Sequence, residues 1–388
     1  MNRIYLDNSA TTPLREEVSE AMDPFLGPEF GNAGSIHAYG RAARKAIDDA
    51  RDQVAALLNA DSREIFFTSG GTESNNWVIQ RAAIPQDSAQ PSLIISSIEH
   101  HAVLHPAEYV KTAIGAEIRI VPVDQTCRVD PDAVADRIDD HTALVSIMHA
   151  NNETGVNQPI DNIAAICADR NIPFHTDAVQ SVGKIPFDVR ETPVTFASLS
   201  AHKIYGPKGV GALYVRKGSN LNPWMLGGFQ EREQRAGTEN VAGIVGLGKA
   251  AELATCDRET DAVRIAHLRD TLQEALLERI PESIAHGLDQ PRLPGILNIG
   301  FPGIEGESMI LGLDVEGIAV SSGSACTSGS LDPSHVLLAM GIGHAEAQSA
   351  VRFSLGRGTT HEDIDQTIKS VIQLRNRLAN GQKETPSG

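Results

Sequence analysis

Cys326 stands in the run Ser321-Ser322-Gly323-Ser324-Ala325-Cys326-Thr327-Ser328-Gly329-Ser330, which holds no large side chain and no charge. Small residues and glycines give a backbone that does not pack into a core. A structural cysteine sits among large apolar neighbours instead. The pattern displays Cys326 on a flexible loop, as a travelling nucleophile requires. A thiol reacts as its thiolate, so the rest of the chain has to supply an electropositive site. Parts of one are spread along the sequence. Phe66-Phe67 leads into Thr68-Ser69-Gly70-Gly71-Thr72, a strand, glycines and a helix start that could cradle a phosphate on free amides. Taken alone, that motif is equally an ordinary tight turn. Asp177 closes an apolar strand, where a buried carboxylate needs a cationic partner; a simple capping aspartate is the plainer alternative. Lys203 follows small and apolar residues, unlike a solvated surface lysine such as Lys208 between Pro207 and Gly209. Desolvation lowers an amine's pKa and suits it to Schiff-base chemistry. His100, in Glu99-His100-His101, is by itself an ordinary strand-end histidine with its hydrogen bonds satisfied; in a cofactor site it would stack on a ring and act as acid or base. Adjacent His100 and His101 point apart, which disfavours a metal site, and no cysteine or carboxylate set completes one. An amine for an aldehyde, an acid for a pyridine nitrogen and donors for a phosphate are what pyridoxal phosphate needs. Lys203, Asp177 and the Gly71-Thr72 turn supply all three.

The elements that must position these groups follow an α/β pattern. Between about residues 60 and 215, strand-like apolar runs alternate with helical patterns, as in a mostly parallel sheet. Candidate strands are 64–68, 92–97, 143–149, 173–176, 195–198 and 211–215. Residues 42–59 read as an amphipathic helix with Ile47, Ala50, Val54 and Leu57 on one face. A second region starts near Leu253, with strand-like segments at 295–300 and 317–320. It closes in a helix for which Thr359 and Glu362 match a capping box, ahead of Ile364, Ile368, Val371 and Leu374. Residues 15–252 are expected to form a large cofactor-binding domain. Residues 1–14 and 253–388 are expected to form a smaller α+β domain carrying the cysteine loop. The formal charge of −17 argues against a nucleic-acid or anionic-membrane partner. No stretch approaches the ~20 apolar residues of a membrane span, and the N-terminus shows no apolar leader. Four scattered cysteines with no Cys-x-x-Cys spacing fit a reducing, cytoplasmic setting.

Four runs go further: Tyr5-Leu6-Asp7-Asn8-Ser9-Ala10-Thr11-Thr12, Met148-His149-Ala150-Asn151-Asn152-Glu153-Thr154-Gly155, His202-Lys203-Ile204-Tyr205-Gly206-Pro207-Lys208-Gly209 and Ser321 to Ser328. They resemble cysteine desulfurases of the NifS/IscS type, which are class V, fold-type I pyridoxal-phosphate enzymes. The resemblance spans Tyr5 to about Arg377. It implies a fold-type I transferase that converts L-cysteine to L-alanine. The sulfur would leave as a persulfide on Cys326, for an acceptor protein in iron–sulfur cluster assembly or tRNA thiolation. On the same basis Lys203 would bind the cofactor covalently and move the Cα proton. Asp177 would pair with the pyridinium nitrogen, Gln180 would hydrogen-bond the ring hydroxyl, and His100 would stack on the ring. Gly71, Thr72, Ser200 and His202 would hold the phosphate. Thr238 would reach the phosphate of a neighbouring subunit, which implies a homodimer. Asn152, also near the cofactor, and Arg352 would take the substrate carboxylate. Selenocysteine lyase, or another lyase or aminotransferase on the same cofactor, is the alternative. Ala201 stands where many relatives have glycine, and its methyl is tolerable where φ is negative.

Overall fold

The computed structural model describes residues 3–82, 90–288, 290–323 and 333–383; Cys326 lies outside them. The strands among these residues are β1 (Ile4–Tyr5), β2 (Ile65–Thr68), β3 (Ser92–Ser96), β4 (Glu117–Val121), β5 (Thr142–Ser146), β6 (Phe174–Asp177), β7 (Phe196–Ser200), β8 (Gly211–Val215), β9 (Ile284–His286), β10 (Ile296–Gly300), β11 (Ile318–Ala319) and β12 (Ala350–Ser354). Seven of them form one sheet in the order β2-β8-β7-β6-β5-β3-β4. Pairing is parallel from β7 through to β4, and β8 runs antiparallel to both β7 and β2. The sheet is therefore mostly parallel, as the alternation of elements predicts. Strands β3 and β7 are buried at every position, the continuous apolar pattern of a sheet covered on both faces. The six candidate strands of this region all form, with ends shifted by no more than three residues. The edge strand β4 is the addition; only Val121 of its five residues is buried, and Glu117 and Arg119 break up its apolar signal.

The amphipathic helix is observed at Ala38–Leu58, with Ile47, Ala50, Val54 and Leu57 buried. It packs on a helix running from Val241 to Arg279. Ile244, Leu247, Ala250 and Ala251 of that helix join the core around the large sheet. Ile265, Leu268, Leu272 and Leu276, further along, join a second core with β10 and β12. The position near Leu253 where the second region starts thus falls inside one continuous helix. β9, β10 and β12 form a separate antiparallel sheet, and β1 pairs in parallel with β11.

The last helix, His361–Lys383, buries Ile364, Ile368, Val371 and Leu374 as expected. Its capping box, however, is one residue later than Thr359 and Glu362. The Asp363 amide donates to Thr360 Oγ1 (3.1 Å), and the Thr360 amide donates to Asp363 Oδ2 (2.9 Å). Thr359 Oγ1 instead accepts from the Gly356 amide (3.0 Å). Threonine-x-x-acid occurs in two overlapping registers here, and the one that starts the helix at His361 wins.

Candidate active site

Ligands of open α/β sheets bind beyond the carboxyl ends of the strands, and that is where the candidate residues gather. After β2 the chain turns at Gly70 into a helix that starts at Gly71. A β-carbon at Gly71 would lie 2.4 Å from Val179 Cγ2, so only glycine fits where this turn meets the loop after β6. After β3 comes His100, which caps the helix His101–Ile114 by accepting from the Ala102 amide at Nδ1 (3.0 Å). After β5 come Met148, Asn151 and Asn152; β6 ends at Asp177; β7 ends at Ser200, followed by His202 and Lys203. Tyr205, just beyond, takes a left-handed conformation (φ 65°) that turns the chain sharply away from the site. Ala201 is not among the residues with positive φ, and its methyl is accommodated.

A cavity of about 370 Å³ lies over these strand ends, lined by Gly71, Thr72, His100, Asn152, Asp177, Gln180, Ser200, His202, Lys203 and Arg352. Its size falls in the usual range for small-molecule sites, roughly 300–1,000 Å³. Ten of the twelve residues marked out by the sequence thus share one cavity. Thr238 does not: it is exposed, on a segment tied to the Gly71 turn by the Arg235–Glu73 ion pair (2.8 Å). Cys326 lies outside the described residues, but Gly323, three residues before it, lines the cavity.

Each polar group is held. Lys203 Nζ donates to the carbonyls of Ser9 and Ala10 (2.8 Å to Ala10). The segment Asp7–Thr12 therefore crosses from β12, where the Asn8 amide bonds the Ser354 carbonyl (3.0 Å), to Lys203. Asp177, buried, accepts from Asn75 Nδ2 (2.6 Å) and from the Val179 amide (3.0 Å). Asn75 Oδ1 is buried without a partner among the described residues. Arg352 is also buried, and it donates to Asp7 (3.0 Å) and to the Asn152 carbonyl (3.0 Å). Arg352 therefore forms a structural ion pair with Asp7, yet the same residue lines the cavity. Arg357 instead pairs with Asp257 and Asp261.

Burial pulls both cavity histidines below their ordinary values. Burial first, then Lys203, His101 and His335, pull His100 below its ordinary value against the opposing pull of Asp177. Burial, Lys203, Lys208 and Lys184 push His202 down to about 4. Behind His100, burial raises the Glu99 carboxyl to about 8. Its Oε1 accepts from Ser96 Oγ (2.6 Å) and the Met148 amide (2.8 Å).

These groups fit pyridoxal phosphate. An amine, a buried carboxylate and a glycine turn at a helix N-terminus face one cavity, with an imidazole beside them. The sequence reading missed Asn75, Glu99 and the Ser9–Ala10 carbonyls. Asn75 was findable, because it lies four residues after Gly71 on the same helical face.

The aminotransferase class-V family model matches residues 4–367. The chain belongs to that family, among its IscS/NifS-type cysteine desulfurases. The family is one of pyridoxal-phosphate enzymes. The chain is 48% identical to the cysteine desulfurase IscS of Dictyoglomus turgidum over 375 residues, covering 97% of this chain and 95% of that protein. It is 48% identical over 383 residues to the cysteine desulfurase IscS of Methanosarcina thermophila, covering 99% and 94%. Among solved structures it superposes on a NifS-like protein with a TM-score of 0.91, at 38% identity, over 97% of this chain and all of that one. A structure described as SspA in complex with cysteine matches with a TM-score of 0.79 at 35% identity, over 91% and 99%.

Proposed function

We propose that this cysteine desulfurase binds pyridoxal phosphate through Lys203 and carries the sulfur of L-cysteine as a persulfide on Cys326. The observation that carries the reading is the shared cavity of Lys203, Asp177, His100 and Arg352, with Gly323 on its wall. When bound, the cofactor supplies an electron-withdrawing ring that acidifies the substrate Cα and lets the carbon–sulfur bond break. Asp177, oriented by Asn75, holds the proton on the ring nitrogen. His100 packs against the ring. The amides at Gly71 and Thr72, with Ser200 and His202, hold the phosphate at the positive end of the helix. Arg352, set by Asp7, and Asn152 orient the substrate carboxylate. Lys203 carries the Cα proton. The Cys326 thiolate takes the sulfur: the substrate C–S bond breaks, an S–S bond forms, and alanine leaves.

Two chains form the working unit, with Thr238 of each reaching the phosphate of the other. The exposure of Thr238 on a segment anchored beside the phosphate turn supports this. Residues 15–252 form the cofactor-binding domain, and residues 1–14 with 253–388 form the smaller one; the two largest hydrophobic clusters, whose buried residues fall on opposite sides of this boundary, support the division. The persulfide passes to an acceptor protein in the cytoplasm, for iron–sulfur cluster assembly or tRNA thiolation. The names of the IscS relatives favour the former.

The test is a visible absorption spectrum before and after addition of L-cysteine, with alanine and sulfide assayed in the same tube. A visible band that shifts, with alanine and sulfide formed under reductant, is the expected result. Absence of any band after adding pyridoxal phosphate would overturn the reading. Cys326→Ser is expected to keep the band and bind cysteine but release almost no sulfide; full turnover would reassign the nucleophile.

A further inference from the structure

Behind the cavity stands a second amine that the reaction does not use. Lys184 follows Gln180 by four residues in a run of tight turns after β6, in which the Lys184 and Ile185 amides both donate to the Ser181 carbonyl. The turns bring the two side chains together. Lys184 Nζ donates to Gln180 Oε1 (3.1 Å), and Gln180 Nε2 donates to the Ser9 carbonyl (2.9 Å). The same Ser9 carbonyl accepts from Lys203. Lys184, Gln180, Ser9 and Lys203 are therefore one connected network.

The chemistry of the partners fixes which way the Gln180 amide faces. An ammonium or amine donor at one end calls for the amide oxygen, and a carbonyl at the other end calls for the amide nitrogen. With Oε1 committed to Lys184, the remaining N–H of Nε2 is what Gln180 can offer the cavity it lines. We propose that Lys184 is a positioning residue: it locks the Gln180 amide so that the cofactor site presents an N–H donor, rather than a carbonyl, to the ring oxygen.

The surroundings of Lys184 suit this role better than that of a structural ion pair. Among the described residues no carboxylate lies within salt-bridge distance of it. Lys203 and Arg352 act on it from the cavity side, and burial and these two cations push its amine down to about 7. Tyr205, Arg258 and Asp261 line the smaller cavity on its other side, and Asp261 is engaged by Arg357 (2.8 Å). His202 also feels its charge. An amine that is partly neutral at pH 7 still donates to Gln180, so the lock does not depend on the charge.

The inference rests on the reading of the cavity as a pyridoxal-phosphate site. Its test is a double-mutant cycle on the full-length protein loaded with pyridoxal phosphate, read by the pH midpoint of the visible absorption band. Losing a donor to the ring oxygen disfavours its anion, so Lys184→Met should raise the midpoint by roughly half a unit to one unit. Gln180→Leu should raise it at least as much, and the double variant should match Gln180→Leu alone, because Lys184 acts through Gln180. A buried lysine with a merely structural role would not give that non-additivity. Lys184→Leu runs the same cycle if the methionine protein does not fold. A midpoint unmoved by loss of Lys184, or moved equally in both backgrounds, overturns the proposal while leaving the cofactor reading intact. A wild-type protein with no band overturns both.

Discussion

Asp177 shows how much of a site one side chain can carry and how much it borrows. Its carboxylate is oriented by Asn75 (2.6 Å) and by the Val179 amide (3.0 Å). Hydrogen bonds to a charged group contribute about 1.5–3 kcal/mol each. Asn75→Leu should therefore weaken pyridoxal-phosphate binding roughly tenfold or more, while leaving Lys203 able to form the visible band. Equilibrium titration of stripped protein with cofactor measures this, and unchanged affinity would remove Asn75 from the site. Gly71→Ala should also impair binding, since its β-carbon would sit 2.4 Å from Val179 Cγ2 and displace the loop that holds Asp177 and Gln180. At this scale the sequence was readable where chemistry is written locally. Lys203 among small residues, Asp177 at a strand end and the Gly70-Gly71 turn carry their meaning in their neighbours. Asn75 shares a helical face with Gly71, a local hint, but its partner Asp177 is distant in sequence, and Lys184 acts across a turn on Gln180. Arg352 could not be preferred to Arg357 on pattern alone, because only the fold sends one to the cavity and the other to Asp257 and Asp261.

The strands and helices that present these groups are fastened by buried polar side chains, and Glu99 is the clearest case. It joins the end of β3 to the turn after β5 through Ser96 Oγ and the Met148 amide. Burial holds its carboxyl at about 8 against an ordinary value of 4.5. Between those values the folded protein keeps a proton that the unfolded chain has lost. The resulting stability is complete below pH 4.5 and is lost as pH rises through about 8. The full effect is on the order of 5 kcal/mol. Glu99→Gln keeps an acceptor for both donors and cannot ionise. Thermal unfolding from pH 5 to 9 should show the wild type losing ground to the variant as pH rises; parallel curves would mean that Glu99 is already ionised in the fold. Legibility at this scale followed periodicity. The continuous apolar runs of β3 and β7 and the 3.6-residue stripe of Ala38–Leu58 announced themselves, whereas β4 and β9 are partly exposed and β9 is only three residues long. The overlapping threonine-acid registers before His361 show that a cap is fixed by where the buried stripe must begin, which local pattern does not decide.

For the whole molecule, the surface feature that asks for explanation is the segment from Trp224 to Thr238. Leu226 and Phe229 are 86% and 84% exposed. The segment carrying them is nevertheless rigidly fastened. Buried Glu231 accepts from Arg51 at both oxygens (2.7 and 2.8 Å) and from the Phe67 amide (2.9 Å). Glu231, Arg232 and Glu233 all have positive φ, between 44° and 65°, a costly run for non-glycine residues. Arg235 pairs with Glu73 at the phosphate turn. An anchored, strained segment that holds large apolar side chains in water is what an interface requires and what an isolated monomer has no reason to keep. Phe30 and Ile36, 75% and 90% exposed, add apolar surface outside this segment. Replacing Leu226 and Phe229 together by glutamate should leave the monomer folded, because neither side chain is buried in it. On the proposed two-chain unit, it should halve the mass seen by light scattering. If Thr238 serves the neighbouring cofactor, the separated chains should also bind pyridoxal phosphate more weakly than the wild type at equal chain concentration. Thr238→Ala in the wild-type background should reproduce that loss of affinity without changing the mass. A variant that stays dimeric would place the interface elsewhere, and one that becomes monomeric with undiminished affinity would confine the phosphate site to a single chain.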